Sequence, residues 1–190
     1  MKFFVFSDIH GWYSSLIRGL KESGYEPNNL DHTLLFLGDA FDKESDERDD
    51  YGLYCSLKEN VENGKLIWIR GNHESFLLSA IEKGSPTHFT EKTIRNISCG
   101  LNIKNENLSG EEQVQSLIDH GVYSFIKDNA LNFYETKDYV FTHGTIPYLK
   151  KENIYLDNWR DYPKDKWETF RSCNGMKMVL TGVKIPGKTL

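Results

Sequence analysis

The chain has 190 residues, 38% hydrophobic and 27% charged, the composition of one globular domain, which excludes collagen-like, mucin-like and low-complexity chains. Lys and Arg number 23 and Asp and Glu 28, a formal net charge of −5, so nucleic-acid binding is not expected: no surplus of cations is present to displace phosphate counterions. No apolar run approaches the roughly 20 residues of a membrane span, and Cys55, Cys99 and Cys173 form no CxxC pair, which points away from membrane, disulfide frame and zinc finger and toward a reducing cytoplasm.

Phe3–Phe6 is the first apolar run, too short for a core helix and rich in aromatics, so a buried strand is expected. It ends in Ser7-Asp8-Ile9-His10-Gly11, and the polar residues there argue against a signal peptide. Leu16, Ile17 and Leu20 then share a helical face that Gly24 terminates. A second strand, Leu34–Leu37, ends in Gly38-Asp39-Ala40-Phe41-Asp42. Asp42–Asp50 is densely charged, and Glu44–Asp50 is read as a solvated loop and helix start, with Ser45, Asp46 and Glu47 at the beginning of the helix. Leu53, Tyr54, Leu57 and Val61 face inward along it, and Cys55 is assigned to its buried face.

The third strand, Leu66–Ile69, ends in Arg70-Gly71-Asn72-His73-Glu74, followed by a helix bearing Leu77, Leu78 and Ile81 and closed by Gly84. Residues 85–130 read as a helical insertion, in which Ser109 and Glu112 have capping-box spacing. Leu131–Glu135 and Tyr139–Phe141 are expected to pair as a hairpin across Thr136-Lys137-Asp138, leading to Thr142-His143-Gly144. Met176–Leu180 is a weaker fifth strand, interrupted by Lys177. With no repeat or linker visible, residues 1–190 are assigned to one domain.

Four strand ends thus deliver Asp, His or Asn beside glycine, and ligands in α/β sheets collect beyond the carboxyl ends of strands. Asp8, His10, Asp39, Asn72 and His143 form a mixed oxygen and imidazole donor set that suits Mn, Fe or Zn. Two such metals about 3.5–4 Å apart need a bridging ligand, for which the two oxygens of Asp39 are suited, and they supply a hydroxide nucleophile and clamp a phosphoryl group. His73 is placed as the proton donor to the leaving alkoxide, with Asp42 holding its ring, and Arg70 as a phosphate ligand.

The order DxH-G, GDxxD, GNHE, HG resembles the calcineurin-like metallophosphoesterases, within them the phosphoprotein phosphatase branch, especially the small bacteriophage and bacterial serine/threonine phosphatases. The resemblance spans Asp8 to about Arg160. It implies an α/β fold, a two-sheet β sandwich flanked by helices, whose closing C-terminal strands are expected to be missing here. It implies two divalent metal ions, Asp8 and His10 on the first, Asp39 between them, Asn72 and His143 on the second. His73 and Asp42 become the general acid and its partner, and Arg160 in Asn158-Trp159-Arg160 the later phosphate-binding arginine. The implied substrate is a phosphorylated protein or small phosphoester. A dinucleoside-polyphosphate hydrolase and a degenerate, non-catalytic binder of phosphate or metal are the alternatives.

Two departures bear on this reading. Where the family continues GDxxD with Arg-Gly, this chain has Lys43-Glu44; Lys43 meets phosphate as a point charge without the guanidinium fork. Where the family has a further GH motif completing the second metal, this chain has Gly182-Val183, so impaired retention of that metal and impaired activity are expected. Gly182–Thr189 also matches the phosphate-cradling G-x-x-x-x-G-K-[ST] loop, but that loop works by opening a helix and only Leu190 follows.

Overall fold

The computed structural model describes residues 2–42, 48–101, 108–137, 139–144, 148–149, 154–155 and 159–161. β1 (Lys2–Phe6), β2 (His32–Phe36), β3 (Leu66–Ile69) and β4 (Ala130–Leu131) form a parallel sheet in that order. Between them run α1 (Tyr13–Glu22), α2 (Asp50–Glu62) and α3 (Asn72–Glu82), then α4 (Glu91–Leu101), α5 (Gly110–Asp119) and α6 (Val122–Asn129). The register sets Phe4 beside Leu34 and Leu34 beside Leu66, and sets Phe36 between Phe6 and Trp68. Side chains of a strand alternate faces. Phe4, Leu34, Phe36 and Trp68 therefore point into a core shared with Leu53, Leu77, Leu117 and Ile126 of the helices.

Leu35, Leu37 and Ile69 point the other way. They are covered by Tyr134 and Phe141, which belong to an antiparallel hairpin of β5 (Tyr134–Glu135) and β6 (Val140–Phe141). A parallel sheet must be buried on both faces, and helices on one side and a hairpin on the other achieve it here. This is a mixed α/β architecture with one sheet packed on another. A further hairpin joins β7 (Tyr148–Leu149) to β8 (Ile154–Tyr155). No helix among the described residues is long and apolar enough to cross a membrane.

Most expected elements form, with four differences. Leu131 belongs to β4 rather than the hairpin, pairing with Ile69, while its carbonyl accepts from Arg70 N at 2.7 Å. α2 starts at Asp50, capped by the Asp49 side chain on Gly52 N at 2.7 Å, and not at residues 45–47, which lie outside the described residues. Within the charged run, Asp50 is fully buried and the Arg48 side chain is only 9% exposed, so that stretch is not simply a solvated loop. Cys55 is exposed rather than buried, and of the face shared by Leu16 and Ile17 only Leu16 is buried, Ile17 being 46% exposed. The Ser109–Glu112 capping box forms as expected. Met176–Leu180, Gly182–Thr189 and Cys173 lie outside the described residues.

Candidate metal centre

Because β1, β2 and β3 are parallel neighbours, their carboxyl ends emerge side by side. The loops that follow are laced together: Asp8 N donates to Gly38 O at 2.9 Å, His10 N to Asp39 O at 3.1 Å, and Gly11 N to Ala40 O at 2.7 Å. Asp8, His10, Asp39 and Asp42 all have left-handed backbone, with φ of 54, 48, 61 and 68°. Non-glycine residues there are uncommon and cluster at functional sites. Gly38, at φ +93°, is required for a second reason: a Cβ there would lie 2.4 Å from Gly71 N. That approach brings the loop after β2 onto the loop after β3.

Glu74 fastens the two loops. Fully buried, it accepts from Gly71 N at 2.6 Å and Asp39 N at 3.0 Å through Oε2, and from Ala40 N at 2.7 Å through Oε1. Burial and the nearby Asp39 raise its pKa above the ordinary carboxyl value. With the loops clasped, the N-terminus of α3 presents His73 N to Asp39 Oδ1 at 3.0 Å. GNHE contains Glu74, but only the fold discloses this task.

The donors converge on Asp39. His143 Nε2 lies 3.3 Å from Asp39 Oδ2 and 3.2 Å from Asn72 Oδ1. His10 Nε2 lies 4.0 Å from Asp39 Oδ2 and 3.8 Å from Asp8 Oδ1, and His73 Nε2 lies 3.8 Å from Asp39 Oδ2. Ligand atoms of His10, Asp39 and His73 all fall within 4.8 Å of one another. Donors about 2.1 Å from one ion sit about 3.0–3.4 Å apart, so the His143, Asp39 and Asn72 spacings already match a shell and the His10 side is slightly wider.

The outer contacts support the same fit. His10 Nδ1 meets the Phe41 carbonyl at 2.8 Å and His143 Nδ1 meets the Leu37 carbonyl at 2.6 Å. A carbonyl only accepts, so each ring donates from Nδ1 and turns Nε2 toward Asp39, the nitrogen a metal ion would use in the neutral ring. Imidazoles pinned from behind by backbone, with Nε2 aimed at the cluster, are what metal-ligating histidines require.

The charges show how much electrostatic work the cluster does. The His10 ring beside Asp8, with the Ser7 hydroxyl, holds that carboxyl well below the usual range. Burial alone would raise Asp39, but His143, His73 and the His73 N–H outweigh it and its pKa is lowered. Burial likewise works against a charged His143, yet Asp39 and Glu74 push its pKa up to about 9. For His73, burial opposes the charge and Asp42 and Asp39 more than offset it, so the shift is upward.

Asp42 stands behind His73. Its Oδ2 is 3.6 Å from His73 Nδ1, and among the described residues neither atom has a hydrogen-bond partner, although both are buried. The other oxygen, Oδ1, accepts from the Thr93 hydroxyl of α4, and Arg48 Nη2 lies 3.8 Å from it. Sequence reasoning singled out neither Thr93 nor Arg48, because neither adjoins a motif.

The proposed phosphate ligands are placed less directly. Arg70 Nη2 donates to the Lys127 carbonyl near the end of α6 at 2.9 Å. Arg160 forms a bidentate pair with Glu135, at 2.9 and 2.7 Å. Lys43 and Val183 lie outside the described residues. The structure thus gathers Asp8, His10, Asp39, Asn72, His143, His73 and Asp42, and gives both arginines protein partners.

The sequence profile of the calcineurin-like phosphoesterases matches residues 1–180. The chain belongs to that family. Among solved structures, it resembles a mutant cold-active protein tyrosine phosphatase at 17% identity and a TM-score of 0.53, covering 90% of this chain and 48% of that one. It also matches a protein serine/threonine phosphatase from Saccharomyces cerevisiae, at 20% identity and TM-score 0.48, over 89% of this chain and 47% of that one. A third match is a putative diadenosine tetraphosphatase, at 16% identity and TM-score 0.47, over 82% of this chain and 55% of that one. The chain spans about half the length of these solved proteins.

Proposed function

We propose that the chain hydrolyses phosphomonoesters, with a phosphoserine or phosphothreonine protein as substrate, and that it does so with two divalent cations, Mn in first place and Fe or Zn as alternatives. The observation that supports this most strongly is the convergence of His10, His73 and His143 Nε2 on one oxygen of Asp39. Asp8 and His10 would hold one ion and Asn72 and His143 the other, and Asp39, whose Oδ2 faces both groups, would serve both. The ions, when bound, supply an activated water and neutralise phosphoryl charge.

The chain's own residues do the rest. Asp39 is held rigid by the His73 N–H and by the clasp of Glu74, so its ligand atoms need no reorganisation. His73 keeps its proton because Asp39 and Asp42 favour the imidazolium. It donates that proton from Nε2 to the leaving alkoxide, while Asp42 steadies Nδ1. Arg160 reaches the phosphate by exchanging Glu135 for the substrate oxygens, Arg70 serves the same anion, and Lys43 adds a point charge.

The test is turnover of p-nitrophenyl phosphate with and without added Mn, against Asp39→Asn. Wild type should respond to Mn and the variant should not; equal rates at every Mn level would overturn the hydrolase reading. A phosphopeptide compared with a dinucleoside tetraphosphate then decides the substrate class, and preference for the latter would refute the protein-phosphatase part.

A further inference from the structure

Four polar side chains in and around the charged stretch after β2 are packed where charge is costly. Asp50 and Thr93 are fully buried, Arg48 is 9% exposed at its side chain, and Asp42 is 1% exposed at its own. Arg48 Nε donates to Asp50, and Arg48 Nη2 donates to the Thr93 hydroxyl. The Thr93 hydroxyl in turn donates to Asp42 Oδ1. Gly11 makes room for the group, since a Cβ there would lie 2.7 Å from Arg48 Cγ and 2.8 Å from Asp50 Oδ1.

The direction of each bond is forced. A guanidinium only donates, so the Thr93 oxygen accepts from Arg48 and its single proton goes to Asp42. That occupies Oδ1 and turns Oδ2 toward the ring of His73, 3.6 Å away. We infer that Thr93 is a positioning residue for the proton donor: through Asp42 it sets the orientation of His73, and Arg48 fixes the direction of its hydroxyl. The helical insertion thereby enters the reaction, because Thr93 sits on α4. This rests on the assignment of His73 as general acid.

The role has a signature that a packing role lacks. A general acid matters little when the leaving group is a stable anion and greatly when it is an alkoxide. Thr93→Val keeps the side-chain shape and deletes the hydroxyl; Thr93→Ser keeps the hydroxyl. The rates are compared on p-nitrophenyl phosphate and on an alkyl phosphate, with metal content and melting temperature measured on the same samples. For Thr93→Val we expect kcat on the alkyl ester to fall about tenfold or more, part of the roughly 10²–10⁴ that general acid catalysis supplies. On p-nitrophenyl phosphate it should change less than about threefold, with KM and metal content kept, and Thr93→Ser should restore the alkyl rate. A readout independent of turnover is the His73 ring Nδ1–H resonance of the metal-free protein. It should persist in wild type and Thr93→Ser and be lost to solvent exchange in Thr93→Val.

Equal losses on both esters, or a resonance unchanged in Thr93→Val, would overturn the inference. His73→Asn separates the two layers. If it discriminates between the esters and Thr93→Val does not, Thr93 has no positioning role and the acid assignment stands. If His73→Asn fails to discriminate, the acid assignment falls and the role of Thr93 falls with it.

Discussion

Replacing Glu74 by Ala tests how the centre is held together. The carboxylate accepts three backbone N–H groups, those of Gly71, Asp39 and Ala40, in a fully buried position. Each buried donor left without a partner costs about 1–3 kcal/mol, so the gross loss is about 3–9 kcal/mol. Two effects reduce it. Removal relieves the repulsion with Asp39 and the cost of burying the charge, the same causes that raise the pKa of Glu74. A net loss of about 3–4 kcal/mol is expected. Glu74→Gln keeps one oxygen; set in place of Oε2 it retains two of the three bonds, so about half that loss is expected. Urea unfolding of the metal-free protein at pH 7 measures both, with an unchanged denaturant slope confirming that the same transition is compared. Mn affinity by calorimetry should fall in parallel, since Asp39 is the residue loosened. A loss under about 1 kcal/mol for Glu74→Ala would refute the argument, because the three N–H groups would then be satisfied without the carboxylate.

His143 makes the stability of the metal-free protein depend on pH. Its pKa is raised from the ordinary 6.5 to about 9, so the stabilisation is complete below about pH 6.5 and is lost as pH climbs through 9. The shift corresponds to about 3 kcal/mol. Because a ligating imidazole must be neutral, adding Mn at pH 7 should also release a proton from His143, seen as a binding enthalpy that changes with the ionisation heat of the buffer. A flat stability curve between pH 6.5 and 9 would contradict this. Gly38→Ala should cost about 2–4 kcal/mol by thermal unfolding, combining positive φ with a Cβ 2.4 Å from Gly71 N, and should abolish tight metal binding. A melting temperature within error of wild type would mean that the loops separate freely.

Much of this was legible in the sequence where local pattern and tertiary position coincide. Short apolar runs ending in Ser-Asp, Gly-Asp or Gly-Asn marked β1, β2 and β3, and parallel pairing then had only one place to put Asp8, Asp39 and Asn72. The hairpin under Tyr134 and Phe141 followed from two apolar segments around a polar turn. Cys55 was misplaced although its phase was readable: with Leu53, Tyr54 and Leu57 buried, position 55 points to the opposite side of the helix. Arg48 and Asp50 were beyond reach for a different reason. Arg48 joins Asp50 to Thr93 of α4, 45 residues downstream of Arg48. A string of charges carries no mark of which member will find such a partner. Leu131 was drawn into the parallel sheet by Ile69, again a neighbour distant in sequence.

The left-handed backbone of Asp8, His10, Asp39 and Asp42 has a consequence for how this protein can change. Each residue there holds a conformation that glycine adopts freely, at a cost on the order of 1 kcal/mol or more. Selection for firmness alone would therefore erode these positions first, toward glycine, and each such gain would remove a ligand or, at Asp42, the partner of His73. Thermal robustness and chemistry compete at the same four residues, so a laboratory search for heat-tolerant variants should be run with a catalytic screen beside it.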